Sequence, residues 1–307
     1  MIEYVQFFPT LRCNKNCEFC FNRVNRSFES IEFPPDKIED FVDILKRNNI
    51  LHLDILGGEP FLYKALEKLV KSAIEHEIKV TISTNGSFEK KIERLLKLNK
   101  NARVQIGISI NDGINQSLLD LIRKHKLWIK SVISRKQTPH REIVKFAKSN
   151  GIDYYLLYMD AVTEKDLELS MPFYEFMKLI KELRNQYSGI KPVYCKGFTG
   201  GDKKYRCPAG TEKITVMPNG AVYPCYLLSG FDEFCIGNVF QNSLQEIVMS
   251  HKLKIFKTPF NNSCNNTSCN IKEKCRGGCV AHSIIHYNNF SKSDPRCNTK
   301  NHEECEL

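Results

Sequence analysis

Tyr4 to Asn22 reads YVQFFPTLRCNKNCEFCFN: an apolar run that stops at Pro9, followed by three thiols, Cys13, Cys17 and Cys20, spaced C-x3-C-x2-C. A short apolar, aromatic-rich run closed by proline predicts a strand, with the thiols on the loop at its C-terminal end. Outward from it, short apolar runs bounded by Gly, Asn or charge predict five more strands, at 51–56, 78–83, 104–110, 128–133 and 153–158. Between them lie helix-period segments such as FVDILKRN, YKALEKLVKSAIE, KIERLLKLN, INQSLLDLIRKH and REIVKFAKS, and Pro172 opens another helix ending near Gln186. Alternation of this kind predicts an α/β fold, and six βα units predict a partial (β/α)6, TIM-like barrel with its chemistry at the C-terminal strand ends.

The chain has 307 residues, 42% hydrophobic and 26% charged, which is a folded composition and too apolar for disorder. Its longest uncharged run, Ile214 to Phe231, is broken by Pro218, Asn219, Gly220 and Pro224, so it predicts a hairpin and not a membrane span. The opening MIEYVQFFPT has no basic region and no small-residue cleavage site, so no secretory signal is expected and the reducing cytoplasm is the expected compartment. There, thirteen cysteines are better metal ligands than disulfide partners. The net charge of +10 is spread over amphipathic helices such as IERLLKLNK, and no basic, aromatic-bearing nucleic-acid motif accompanies it. Isolated histidines, His52, His76 and His125 among them, read as surface or packing residues.

After about residue 190 the texture changes. Ten of the thirteen cysteines lie from Cys195 onward, periodic helices nearly vanish apart from SLQEIVMSHKLKIF, and turn residues dominate. A segment with so little apolar patterning is expected to be held by metal. The expected organisation is therefore two domains, 1–190 and 191–307. Within the second, TVMPNGAVYPC predicts an Asn-Gly hairpin carrying Cys225 at the end of its second strand.

Three thiolates close together can take three irons of a 4Fe-4S cube and leave the fourth open to a small molecule, whereas zinc prefers four ligands or a histidine in the set. C-x3-C-x2-C after the first strand, with aromatic Phe19 before the last cysteine, resembles the radical S-adenosylmethionine enzymes. Gly57, Gly58, Glu59 and Pro60 after the second strand look like that family's GGEP motif, which binds the methionine amino group. Glycines let backbone approach a ligand closely, and Glu59 offers an anionic acceptor for an ammonium. Thr84, Asn85 and Gly86 resemble its TNG turn, while Ser109 and Arg135 occupy places where the family contacts the ribose and the methionine carboxylate.

The C-terminal cysteines are similar to the SPASM extension of that superfamily: Cys207, twelve residues, Gly220, four more to Cys225, then Cys264, Cys269, Cys275, Cys279 and Cys297. One spacing departs, with four residues between Cys264 and Cys269 where the family usually has two. The resemblance implies three 4Fe-4S clusters and S-adenosylmethionine. It places Cys264, Cys269, Cys275 and Cys297 on the distal auxiliary cluster, and Cys207, Cys225 and Cys279 on the nearer one. The nearer cluster's missing ligand is expected to be Cys195, with Cys235 or an open iron as alternatives, and Cys305 is expected to be unligated. A zinc ribbon remains an alternative for these thiols.

The function implied is oxidation or crosslinking, by a thioether or carbon-carbon bond, of a ribosomally made peptide or protein, with a flavodoxin- or ferredoxin-type reductant. Formylglycine formation in a sulfatase and peptide epimerisation are the enzymatic alternatives. An iron-sulfur electron carrier or zinc-binding module is the non-enzymatic one. With the thiol loop beginning at residue 13, a leader peptide is expected to bind the barrel, the SPASM surface or a separate protein.

Overall fold

The computed structural model describes residues 2–23, 30–98, 102–111, 113, 115–200, 205–257, 264, 269 and 271–297. Its strands are β1 (Tyr4–Phe7), β2 (His52–Ile55), β3 (Lys79–Thr84), β4 (Val104–Ser109), β5 (Trp128–Ile133), β6 (Tyr154–Tyr158), β7 (Ile190–Val193), β8 (Lys213–Val216), β9 (Ala221–Tyr223) and β10 (Gly237–Asn238). Its helices are α1 (Ile38–Arg47), α2 (Leu66–Glu75), α3 (Glu89–Leu96), α4 (Gln116–His125), α5 (Arg141–Asn150), α6 (Glu164–Leu169), α7 (Phe173–Gln186), α8 (Leu244–Val248), α9 (Lys254–Lys257) and α10 (Val280–Tyr287). The six expected strands are β1 to β6, and the βα alternation that fills this half of the chain is that of the α/β partial-barrel class. Two compact units are present, one of Met1–Trp128 with Ala209–Lys254, the other of Ile129–Pro208 with Ile255–Leu307.

In the first unit β1, β2, β3 and β4 pair in parallel in sequence order, with Val5 opposite Leu53 and Ile55 opposite Ile82. Val5, Phe7, Leu53, Ile55, Val80 and Ile82 are wholly buried. Along β2 and β3 these buried apolar residues alternate with less buried polar ones, and α1 buries Ile38, Phe41, Val42 and Leu45. Phe7 meets Phe33 edge-on with ring centroids 4.9 Å apart.

The Asn219-Gly220 hairpin forms as expected: β8 and β9 are antiparallel, and Asn219 Oδ1 accepts the Ala221 N–H at 3.1 Å. β8 also pairs in parallel with β1, Val5 opposite Ile214, a partner that no local pattern announces. Within the periodic segment SLQEIVMSHKLKIF, residues 244–248 form α8, opened by a capping box between Ser243 and Glu246.

In the second unit β5, β6 and β7 are parallel, with Ile133 opposite Tyr158 and Tyr154 opposite Ile190. β7 is only four residues long and contains Pro192; it has a partner on one side only, where proline is tolerated. The core beyond β6 is aromatic, with Phe173 stacked on Phe198 at 3.9 Å and Tyr158 beside Phe176 at 5.0 Å. Among the described residues no helix is long and apolar enough to cross a membrane.

Candidate functional site

Three strand ends of the first unit converge on the loop that follows β1. The segment after β2 is strapped to it by backbone: Leu56 N–H donates to Phe7 O at 2.8 Å, Gly58 N–H to Thr10 O at 3.1 Å and Glu59 N–H to Arg12 O at 2.7 Å. Both glycines are required by this approach. A Cβ at Gly57, where φ is +143°, would stand 2.5 Å from Thr10 O, and one at Gly58 would stand 2.2 Å from Arg12 O. The space that the glycines leave on this side is thus filled by the thiol loop's own backbone. Asn22 adds a side-chain strap, its Nδ2 donating to Gly57 O at 2.8 Å.

Glu59 turns inward. It has no solvent exposure, and its carboxylate accepts from Thr84 Oγ1 at 2.7 Å, Phe61 N at 3.1 Å and Asn85 N at 2.8 Å. Burial pushes its pKa up, against the opposing pull of those donors. The carboxylate therefore joins the β2 turn to the β3 turn. Pro60 is buried and opens the short turn beyond it. Asn85 in turn reaches the thiol loop: its Nδ2 donates to Asn14 Oδ1 at 2.9 Å and lies 3.9 Å from Cys13 Sγ. Gly86, at φ +78°, completes that turn.

Cys13 is exposed, and Cys17 and Cys20 are half-buried. A cavity of about 290 Å³ is lined by Cys13, Cys20, Asn14, Asn16, Asn22 and Gly58 among others. Its polar lining among the described residues is thiols, amides and the Lys15 ammonium, with no histidine or carboxylate, a set suited to an iron-sulfur cluster with one open iron. Phe19 is half-buried. The aromatic that anchors the loop is Phe21, which the sequence reading passed over. Its ring lies 4.5 Å from Tyr226 and meets Phe8 edge-on at 6.4 Å. Ser109 is half-buried at the end of β4. Arg135, in the second unit, is exposed after β5, with its Nε donating to Ser170 O at 3.1 Å.

The second unit gathers two further sets of thiols. Cys195 is hydrogen-bonded to Cys207 and Cys279, and the bond with Cys207 is the main cause of its raised pKa. Cys279 is likewise pushed up, first by Cys195 and then by burial. Cys275 and Cys269 are raised by burial, and each feels Cys264, with Cys275 also feeling Cys269. Crossing glycines bring the two loops together: a Cβ at Gly197 would stand 1.9 Å from Gly278 O, and Gly197 O accepts from Arg276 N at 2.7 Å.

A buried ion pair fixes this region. Asp294 Oδ2 accepts from Arg296 Nη2 at 2.8 Å and from Cys279 N at 2.9 Å, while Oδ1 accepts from Arg296 N and Nε. Arg296 also donates to Met159 O at 2.7 Å and stacks over Tyr158 at 4.6 Å. Cys297 ends the short turn that follows. In the first unit, Cys225 is buried directly after β9, as the hairpin reading expects. Cys235 points elsewhere, its Sγ donating to Gly237 O at 3.5 Å while it packs on the core of Phe8, Met217 and Tyr223. Cys305 lies outside the described residues.

Comparison with known proteins agrees with this layout. Residues 7–171 match the family model described as Radical SAM superfamily, and residues 207–279 match SPASM, described as an iron-sulfur cluster-binding domain. The antilisterial bacteriocin subtilosin biosynthesis protein AlbA of Bacillus subtilis is 26% identical over 90% of this chain; the match spans 66% of AlbA. GTP 3',8-cyclase of Helicobacter pylori is 24% identical over 76% of this chain and 75% of its own. The crystal structure of Streptococcus suis SuiB bound to precursor peptide SuiA superposes with a TM-score of 0.77 at 20% identity, covering 97% of this chain and 76% of that one.

Proposed function

We propose, on the premise that this chain belongs to the radical SAM superfamily, that it is an enzyme that oxidises or crosslinks a side chain of a ribosomally made peptide or protein. The observation that carries the reading is the clamping of one three-thiol loop to the turns after β2 and β3, through Gly58, Glu59 and Asn85. Cys13, Cys17 and Cys20 would hold a 4Fe-4S cluster. Phe19, Gly57, Gly58, Pro60, Thr84, Asn85 and Ser109 would surround S-adenosylmethionine. When bound, this pair supplies a 5′-deoxyadenosyl radical able to take hydrogen from an unactivated carbon, while the protein orients and shields it.

The chain's own part is placement. Glu59 keeps the two turns at fixed separation, so its role is to position and not to contact. The Asn85 amide holds Asn14 beside Cys13 and leaves the open side of the loop facing the cavity. Two auxiliary 4Fe-4S clusters, one built on Cys195, Cys207 and Cys279 and the other on Cys264, Cys269 and Cys275, with Cys225 and Cys297 the remaining motif thiols, bring the total to three. They would take an electron from a substrate radical, which favours net oxidation. The interaction of the Cys195 sulfur with Cys207 and Cys279 supports its choice as the further ligand of the nearer set, and the Cys235 thiol donates to Gly237 O. The reductant would be a flavodoxin or ferredoxin, and the compartment the reducing cytoplasm.

A peptide substrate is favoured over a nucleotide by coverage: the match to the subtilosin protein spans 90% of this chain, the match to the cyclase 76%. The test is anaerobic incubation of the reconstituted chain with S-adenosylmethionine, reductant and a panel of cysteine-containing precursor peptides, with GTP in parallel. A peptide lighter by one hydrogen molecule, formed with 5′-deoxyadenosine, is the expected product. Deuterium uptake from heavy water without that loss would mean epimerisation, and turnover of GTP alone would overturn the peptide reading.

A further inference from the structure

His282 is wholly buried on α10, three residues after Cys279. The Ala161 N–H donates to its Nε2 at 2.9 Å, so that nitrogen carries the lone pair and the ring proton sits on Nδ1. Nδ1 is itself buried and makes no hydrogen bond of ordinary geometry among the described residues, while the imidazole is already close enough to draw the Cys279 thiol's pKa down against its other neighbours. Native proteins seldom leave such a donor unmatched, and where they do a missing ion or cofactor is one explanation.

Three acceptors are near, one of them Asp160, whose Oδ1 lies 3.6 Å from Nε2, the nitrogen that already receives the Ala161 N–H. A ring nitrogen of His282, the Cys279 sulfur and an Asp294 oxygen lie within 4.8 Å of one another. Asp294 is already saturated, each of its oxygens taking two donors from Arg296 and the Cys279 backbone. That commitment also argues against a separate metal site at these three residues. Arg206, the buried cation whose charge reaches Cys195, Cys207 and Cys279, spends its guanidinium on the carbonyls of Gly277, Gly278, Cys279 and Phe290. The Cys279 sulfur is the acceptor that remains.

We infer that His282 is a positioning residue whose Nδ1–H donates to the Cys279 sulfur once that sulfur is a cluster thiolate, and that this bond raises the cluster's reduction potential. The inference rests on the reading of Cys195, Cys207 and Cys279 as ligands. A donor at a ligating sulfur stabilises the extra negative charge of the reduced cluster, so the cluster becomes a better acceptor for an electron leaving a substrate radical.

The test compares His282→Gln, which keeps an oxygen to receive the Ala161 N–H but has no donor at Nδ1, with His282→Asn, whose amide N–H falls near the Nδ1 position. His282→Leu, which has neither group, is the second donor-free variant. Each is made in the full chain with Cys13, Cys17 and Cys20 changed to Ala, so that only auxiliary clusters contribute to an EPR-monitored redox titration. In His282→Gln and His282→Leu one of the two auxiliary transitions is expected to shift about tenfold in its reduction equilibrium, about 59 mV lower for one electron. His282→Asn is expected to recover most of it, at iron content equal to that of the unsubstituted His282 chain. Unchanged potentials in the donor-free variants at equal iron content would overturn the inference and leave the ligand reading standing. A chain that holds no auxiliary iron with His282 intact would overturn both.

Discussion

Replacing Glu59 by alanine is expected to loosen the frame of the site before it touches any ligand. Thr84 Oγ1, Phe61 N and Asn85 N all donate to that carboxylate, at 2.7, 3.1 and 2.8 Å, in a position with no solvent exposure. The Thr84 hydroxyl can rotate toward another acceptor, but the two backbone donors cannot. A buried donor left unpaired costs about 1–3 kcal/mol, which puts the loss at about 2–6 kcal/mol for the pair. At about 2–4 °C per kcal/mol for units of this size, the melting temperature falls by on the order of 10 °C. Glu59→Gln keeps an oxygen for part of the set and removes a charge that burial already disfavours, so it is expected to melt much closer to wild type. The assay is thermal unfolding of the reconstituted chain without S-adenosylmethionine, beside a binding measurement with it. If Glu59→Ala melts with wild type yet no longer binds S-adenosylmethionine, the carboxylate faces the ligand and the reasoning fails.

Gly58→Ala drives a methyl into the Arg12 carbonyl and is expected to displace the thiol loop, lowering reconstituted iron by about four per chain while auxiliary iron stays. Cys195→Ser is expected to reduce auxiliary iron and Cys235→Ser to leave it unchanged; equal effects in iron analysis would remove the distinction between the two thiols. Asp294→Ala strands the buried Arg296 guanidinium and is expected to destabilise the second unit by about 3–5 kcal/mol in denaturant unfolding, whereas breaking an exposed pair such as Lys46–Glu77 should leave the transition almost unmoved.

Much of this was legible in the sequence because the signals are local. A strand whose buried positions alternate writes itself as a short, mostly apolar run, and Trp128–Ile133 is matched to the residue. The thiol loop, the Gly-Gly-Glu-Pro turn and the Thr-Asn-Gly turn were visible at successive strand ends for the same reason. What stayed hidden depends on direction or on distant partners. A motif letter does not say which neighbours its side chain holds, so the bonds from Thr84 and Asn85 to Glu59 had no local signal. The β1–β8 pairing joins segments about two hundred residues apart, and nothing in either segment specifies the other. Phe21 anchors the loop through Tyr226, a partner that arrives from the hairpin region. His282 carried one usable local signal, its i+3 spacing from Cys279 at the start of a helix, but only the Ala161 bond fixes its tautomer.

The most direct measurement is iron and sulfide analysis of the anaerobically reconstituted chain together with an assay for 5′-deoxyadenosine, with and without Cys13, Cys17 and Cys20 changed to Ala. Radical chemistry supported by three clusters requires about twelve irons, a fall of about four in the triple variant, and complete loss of S-adenosylmethionine cleavage with it. Tightly bound zinc in place of iron, or full iron loading with no cleavage under strong reduction, would contradict it.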